Sequence, residues 1–311
     1  MSALYGEKHK TLLTWLSEDW WQSGPAVCCL EGFPGVGKRE IRRLLTDRLG
    51  EKSIPTAVVE VLEADAAQFD DLLLDLAQQY CAVGEEALAR LIETGSDSSR
   101  LISAFAGTLK RPMLVVLEGF QQALGKDSGQ PSQPFQRLLR SVENQNGLQG
   151  RVLLLTDRSP HPGAWSSQLK LARVEGLEIQ EGVRYLSALL KEHDREQEVP
   201  IDRRADVVSW VGGNPQALRS VVAALRYEPL DALIELNVEA WELREQEISE
   251  GLLAELEKQL LAHVLARLEL SDCELLFGLS VFRKPFPAEG IERFAPAKGK
   301  KIRDRFGARQ N

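Results

Sequence analysis

The sequence predicts an α/β fold: a doubly wound parallel sheet over residues 1–176, followed by a small all-helical domain over residues 177–268. Three observations carry this expectation. Short apolar runs rich in β-branched residues alternate with amphipathic helical patterns through the first half of the chain. A glycine-rich turn lies directly between the first run and the first helical pattern. After residue 175 the strand signal stops while helical periodicity continues.

The apolar runs cover residues 26–30, 57–62, 113–117, 152–156 and, more weakly, 169–174. They lack polar alternation, which suits parallel strands covered on both faces. Ile41, Leu44, Leu45 and Leu49 share one helical face, and Gly50 is expected to stop that helix in a left-handed conformation. Leu101, Ile102, Phe105 and Leu109 form a second face, with serines upstream as expected caps. Phe135, Leu138, Leu139 and Val142 form a third. Helical spacing resumes at Val183, Leu186, Leu189 and Leu190, then at Val207, Val208 and Val211, then at Leu218, Val221, Val222 and Leu225. A longer pattern covers residues 249–268, and residues 298–311 read as a basic, solvated tail.

Hydrophobic residues make up 43% of the chain and charged residues 27%, which calls for a buried core and excludes wholesale disorder. The net charge of -8 counts against a general nucleic-acid binder. Cys28, Cys29, Cys81 and Cys273 lack metal-ligand spacing, and the adjacent pair sits in an apolar run as small core residues of a reducing compartment. No apolar signal region opens the chain, and no apolar stretch approaches the roughly 20 residues that span a bilayer. A cytoplasmic protein with no membrane partner is therefore expected.

The chemistry concentrates in Gly32-Phe-Pro-Gly-Val-Gly-Lys38, which follows an apolar run and precedes an amphipathic helix. Glycines let successive amides turn toward phosphate oxygens, and the helix N-terminus adds partial positive charge. Pro34 has no N–H, so the cradle is expected from the amides of Gly35, Val36, Gly37, Lys38 and Arg39, with Lys38 reaching the terminal phosphates. Arg39 stands where a hydroxyl that ligates Mg²⁺ is usual, so one metal ligand is absent; Arg39 either lends charge to a phosphate or faces solvent. Glu118 ends the run at 113–117 and is the catalytic candidate, while Gly119 leaves the next position without a side chain. Arg158, in Thr156-Asp-Arg158, either reads a terminal phosphate or makes a surface ion pair. Pro215 falls at the first turn of a helix, where its missing N–H costs nothing.

Taken in order, Tyr5-Gly-Glu7, the glycine loop, Leu117-Glu-Gly-Phe120, Thr156-Asp-Arg158 and Gly213-Asn-Pro-Gln-Ala-Leu218 resemble a STAND-class signalling NTPase of the NB-ARC or NACHT-related kind. That resemblance implies ATP or ADP as the ligand, Arg158 as a sensor arginine and Pro215 packed on the adenine. It also implies that residues 269–311 are a partial winged-helix region and tail, with Leu275, Leu276, Phe277, Val281 and Phe282 in its opening helices. The family's flanking effector and sensor segments are expected to be missing from this chain. The departures at Arg39, Glu118 and Gly119 imply weak or absent hydrolysis and leave a role for Mg²⁺ open. The leading reading is an adenine-nucleotide switch module that works with a protein partner or by self-association. The alternatives are a non-catalytic adaptor or partner subunit with a vestigial pocket, and a DNA-bound initiator-type ATPase, which the acidic total disfavours.

Overall fold

The computed structural model describes residues 5–62, 66–125, 128–161, 163, 165, 169–226, 228–235 and 258, without the side chains of 66–68 and 235. The chain divides into two compact units, Met1–Ala254 and Glu255–Asn311, the second described at Lys258 alone. The expectations for residues 249–268, for the winged-helix region, for the basic tail and for Cys273 lie outside the described residues.

In the first unit the described strands are β1 (Val27–Glu31), β2 (Thr56–Glu60), β3 (Leu114–Glu118), β4 (Arg151–Thr156) and β5 (Lys170–Arg173). They form a five-stranded sheet in the order β2-β3-β4-β1-β5, parallel throughout. This is the doubly wound α/β fold of a P-loop protein. β3 and β4 are buried along their whole length, which explains their uninterrupted apolar sequences. β5 lies at an edge with its residues largely exposed, so its sequence signal is weak. Glu31 pairs in register with Thr156 on one side and with Arg173 on the other. The loops that leave β1 and β4 therefore emerge side by side at the carboxyl ends of the strands, beside the strand where the chain passes from one side of the sheet to the other. Open α/β sheets bind ligands at that point.

The helices of this unit begin with α1 (Glu7–Trp15), continued by a π-helical turn, Leu16–Trp20, and by α2 (Trp21–Ser23). Then come α3 (Lys38–Glu51), α4 (Ala66–Ala82), α5 (Ala87–Glu93), α6 (Ser98–Thr108) and α7 (Gln133–Glu143). One core joins α4 to α7 with Val27, Cys29, Val115, Leu117, Val152 and Leu154. The other joins α1 and α3 with Cys28, Leu30, Leu114, Val116, Leu153 and Leu155. Successive strand residues face opposite sides, so Cys28 and Cys29 enter different cores and neither is in a disulfide. Burial pushes the Cys28 thiol up to about 12 and the Cys29 thiol well above its ordinary value, which makes both inert packing groups.

Two expected helix ends are corrected. α3 runs through Gly50, and the left-handed residue is Ser53, with φ of 58°. Extending the helix lets the Ile54 amide donate to the Leu49 carbonyl at 3.0 Å and brings Ile54 against the α1/α3 core. α6 is capped by Asp97, whose side chain accepts from the Arg100 amide, while Ser98 and Ser99 fall inside the first turn and Ser96 precedes the cap. A carboxylate there also faces the positive end of the helix dipole.

After β5 the described elements are helical: α8 (Ile179–Glu192), α9 (Arg204–Trp210), α10 (Pro215–Ala224) and α11 (Leu230–Glu235). Glu178 and Glu181 form a capping box on α8. The buried Glu181 carboxylate also accepts from the Glu7 amide at 2.6 Å, which ties the start of α1 to the start of α8. Before α10, the Leu177 amide donates to the Gly213 carbonyl at 2.8 Å. A Cβ on Gly213 would lie 2.1 Å from the Leu177 carbonyl oxygen, so glycine is required for this approach. These contacts join the start of α8 to α1 and to the turn before α10.

Candidate functional site

A cavity of about 830 Å³ opens where the β1–α3 loop, the end of β3, the start of α1, and α8 and α10 meet. Its size suits a ligand such as a nucleotide, since small-molecule sites run to roughly 300–1,000 Å³. Gly35, Val36, Gly37, Lys38, Arg39, Glu118 and Pro215 all line it, so seven of the nine expected site residues come together. Gly32 stands behind the loop, where a Cβ would lie 2.5 Å from the Val174 carbonyl oxygen. Arg158 is not among the lining residues. Its guanidinium donates to the carbonyls of Leu124 and Gly125 at 3.0 and 3.2 Å.

The loop is shaped by left-handed glycines, Gly35 at φ of 80° and Gly37 at 113°, with Gly37 as the N-cap of α3. The Val36 amide donates back to the Phe33 carbonyl at 3.4 Å, closing the turn. Lys38 is buried and its ammonium donates to the carbonyls of Gly32 and Phe33 and to the Asp157 carboxylate, the last at 2.5 Å. Gln121, itself at the cavity wall, donates to the other Asp157 oxygen at 2.9 Å. Asp157 is thus the counter-charge of the loop lysine.

The opposite wall is built by the turn before α10. The Asn214 carboxamide oxygen accepts from the amides of Gln216 and Ala217, at 3.0 and 3.2 Å, and so caps α10. Its Nδ2 donates to the Pro34 carbonyl at 2.8 Å, while the Gln216 amide donates to the Gly35 carbonyl at 3.3 Å. The glycine loop and the first turn of α10 are therefore hydrogen-bonded to each other, with Pro215 between those two contacts. An apolar wall of Leu177, Ala188, Leu189 and Pro215 is completed by Tyr5 and Tyr185, whose rings pack at 4.8 Å. Arg219 reaches back from α10, donating to the Tyr185 hydroxyl with its guanidinium 5.7 Å from that ring's centre. Burial raises the Tyr185 pKa and Arg219 opposes that shift, so the phenol stays protonated at neutral pH.

At the sheet side of the cavity Glu118 is buried at the end of β3. Arg42 Nε lies 2.8 Å from Oε1 and Arg39 Nε 3.3 Å from Oε2, and Arg39 also stands 3.6 Å from Glu60. The divalent cation that a P-loop fold implies does not fit this arrangement. Both Glu118 oxygens already face guanidinium groups, and the residue after Lys38 offers no side-chain oxygen. Among the described residues no cluster of His, Cys, Asp and Glu could hold a metal ion, and no helix is long and apolar enough to cross a membrane.

Sequence reasoning missed His9, Gln121, Tyr185 and Arg219, and it did not assign Asp157 to Lys38. His9 is buried beside Gly37, its ring nitrogens 3.1 and 2.8 Å from the carbonyls of Tyr5 and Glu175. Each of these residues acts through partners far away in the chain, so no local spacing marks them.

No protein-family model matches the sequence, and no curated protein matches it. Among solved structures, the chain is similar to a STAND ATPase with a tetratricopeptide-repeat sensor, PH0952 from Pyrococcus horikoshii, at 14% identity and a TM-score of 0.57. That match covers 97% of this chain and 39% of the archaeal one, so this chain spans well under half of that protein's length. The ORC2 protein of Aeropyrum pernix in its ADP form aligns at 16% identity over 80% of this chain and 67% of its own, with a TM-score of 0.47. The FIGL-1 AAA domain in complex with ADP aligns at 15% over 82% of each chain, with a TM-score of 0.44. At 14% identity the match to the STAND ATPase shows the fold alone, which in this chain is a five-stranded parallel α/β sheet of the P-loop type.

Proposed function

We propose that this chain is an adenine-nucleotide-binding switch module of a STAND-class signalling NTPase, holding ATP or ADP in the cavity and hydrolysing it weakly or not at all. The observation that carries the reading is the contact of Asn214 and Gln216 with the carbonyls of Pro34 and Gly35. A polyphosphate that reshapes the glycine loop moves the oxygens on which α10 is seated. Ligand chemistry at the phosphates thereby becomes a bias on helix position. Lys38 and the loop amides take the phosphates, and Pro215 with the two tyrosines takes the base. Arg158, the expected sensor, joins the phosphates by leaving the Leu124 and Gly125 carbonyls. The division at residue 176, a cytoplasmic setting, and a protein partner or self-association belong to the same proposal.

Weak turnover follows from the chemistry of phosphoryl transfer, which rests on positioning and on neutralising charge. Glu118 is held by two arginines and Gly119 has no side chain to orient an attacking water. Titration of the purified chain with ATP and with ADP should show saturable binding, and phosphate release should stay near the background rate. Brisk hydrolysis abolished by Lys38→Ala would move the protein to the active ATPases. Absence of binding at millimolar nucleotide would favour the second reading, a partner subunit with a vestigial pocket. The ion pair of Lys38 with Asp157 gives that reading its support, because it neutralises the loop lysine internally.

A further inference from the structure

The acid at the end of β3 and the position after the loop lysine ordinarily serve a divalent cation together, the first through water and the second through a hydroxyl. Here both have changed in a matched way. The hydroxyl position carries Arg39, and Arg39 points at the acid, with Nε 3.3 Å from Glu118 Oε2. A guanidinium at that distance repels Mg²⁺ from the carboxylate that would hold it. Arg39 therefore puts a guanidinium cation in the first turn of α3.

The two arginines on Glu118 differ in their circumstances. Arg42 is the near and half-buried one, 2.8 Å from Oε1, and it alone suffices to balance the buried carboxylate. Arg39 is 73% exposed, lines the cavity, and reaches Glu118 and Glu60 at the longer distances of 3.3 and 3.6 Å. The Arg39–Glu60 pair is exposed at both ends and weak, and the Arg39 end of the Glu118 pair is solvated. Swinging Arg39 from these acids to a phosphate therefore costs little, and Glu118 keeps Arg42 when it happens. A guanidinium also suits the task in shape, because its parallel N–H groups match two oxygens of one phosphate.

We propose that Arg39, poised on Glu118 and Glu60, takes the place of the divalent cation, so that the cavity binds nucleoside di- or triphosphate in its metal-free form. This rests on the reading that a nucleotide occupies the cavity. Magnesium then acts as a competitor: it sequesters the free nucleotide in solution and leaves a smaller competent fraction. Where that fraction falls below about a tenth, apparent affinity falls by about tenfold or more. This is the opposite of the dependence expected of a P-loop that uses the metal.

The test is calorimetric titration of the full chain with ATP and ADP in EDTA and in millimolar MgCl₂, repeated with Arg39→Thr and Arg39→Lys. Expected are tighter binding in EDTA, a loss of on the order of tenfold in EDTA for Arg39→Thr, and a smaller loss for Arg39→Lys, which keeps a point charge. Arg39 is exposed, so both variants should fold, and circular dichroism checks this. Binding that strengthens with Mg²⁺ in the parent would overturn the proposal while leaving the nucleotide reading intact. Equal binding in both buffers with no effect of Arg39→Thr would overturn it as well. No binding of either nucleotide in either buffer would remove the nucleotide reading and this proposal together.

Discussion

Replacing Lys38 with alanine is expected to weaken nucleotide binding by about ten- to a hundredfold while leaving the chain folded. A charge-assisted contact from an ammonium to phosphate is worth roughly 1.5–3 kcal/mol, which converts to that range of affinity. The structure adds a second contribution of the same sign. Lys38 pairs with Asp157, so its removal leaves a carboxylate facing the phosphates with Gln121 as its remaining partner. Part of the loss should therefore be repulsion by Asp157, and Lys38→Ala combined with Asp157→Asn should recover some of it. Asp157→Asn alone should run the other way and tighten binding, because it releases the lysine from its internal counter-charge. Isothermal titration of the four proteins with ADP reads all of these effects as one double-mutant cycle. Equal affinity of the parent and Lys38→Ala would mean that the loop does not hold a phosphate.

Gly35→Val is expected to destabilise the chain by about 2–5 kcal/mol and to abolish measurable nucleotide binding. Gly35 has φ of 80°, where a β-branched side chain is a steric outlier and any L-residue carries a cost of roughly 1–2 kcal/mol. Its Cβ would also lie 2.6 Å from Gln216 Cβ and 2.8 Å from Asn214 Oδ1. Overpacking of that kind adds roughly 1–3 kcal/mol. The side chain displaces the first turn of α10 from the loop, breaking the Asn214 and Gln216 contacts that join the two walls. Gly37 supplies the comparison. Its φ is 113°, but the nearest atom to an added Cβ is His9 Cε1 at 3.9 Å, an ordinary contact. Substitution there carries backbone strain without the clash, so the melting temperature of Gly35→Val should fall further than that of Gly37→Val. Similar falls for the two variants would count against the seating of α10 on the loop.

The sequence made the centre of the sheet plain and its margins faint, for a physical reason. β3 and β4 are covered on both faces, so every position is selected for burial and the runs are unbroken. β5 is an edge strand carrying Lys170 and Arg173, and it survives as a faint pattern. The sequence pattern does not show α1, α4 or α5, although α1 carries His9 to the cavity and Tyr5 lies just before its start. The end of α3 was misplaced because glycine is permitted, not required, to stop a helix; the Ile54 contact decided the matter.

The site divides along similar lines. The glycine loop, Glu118 and Pro215 were legible, because strand–turn–helix and strand–acid are local arrangements. Lys38 and Asp157 are 119 residues apart and Tyr185 and Arg219 are 34 apart, and only the folded chain pairs them. Arg158 has a phosphate role as one of two readings of its place after β4 and a sensor role by resemblance, and the structure places its guanidinium on two carbonyls away from the cavity wall. Arg39 was visible as a departure from the pattern, but its attachment to Glu118 was not.

In the proposed function one adenine nucleotide engages the glycine loop and the first turn of α10 together. Hydrogen exchange with and without saturating ADP tests it most directly. Slower exchange is expected in residues 32–40 and 213–219 at once, with Pro215→Ala keeping protection of the first segment and losing much of it in the second. Unchanged exchange in residues 32–40 when ADP is added, or protection of that segment with no response at residues 213–219, would contradict it.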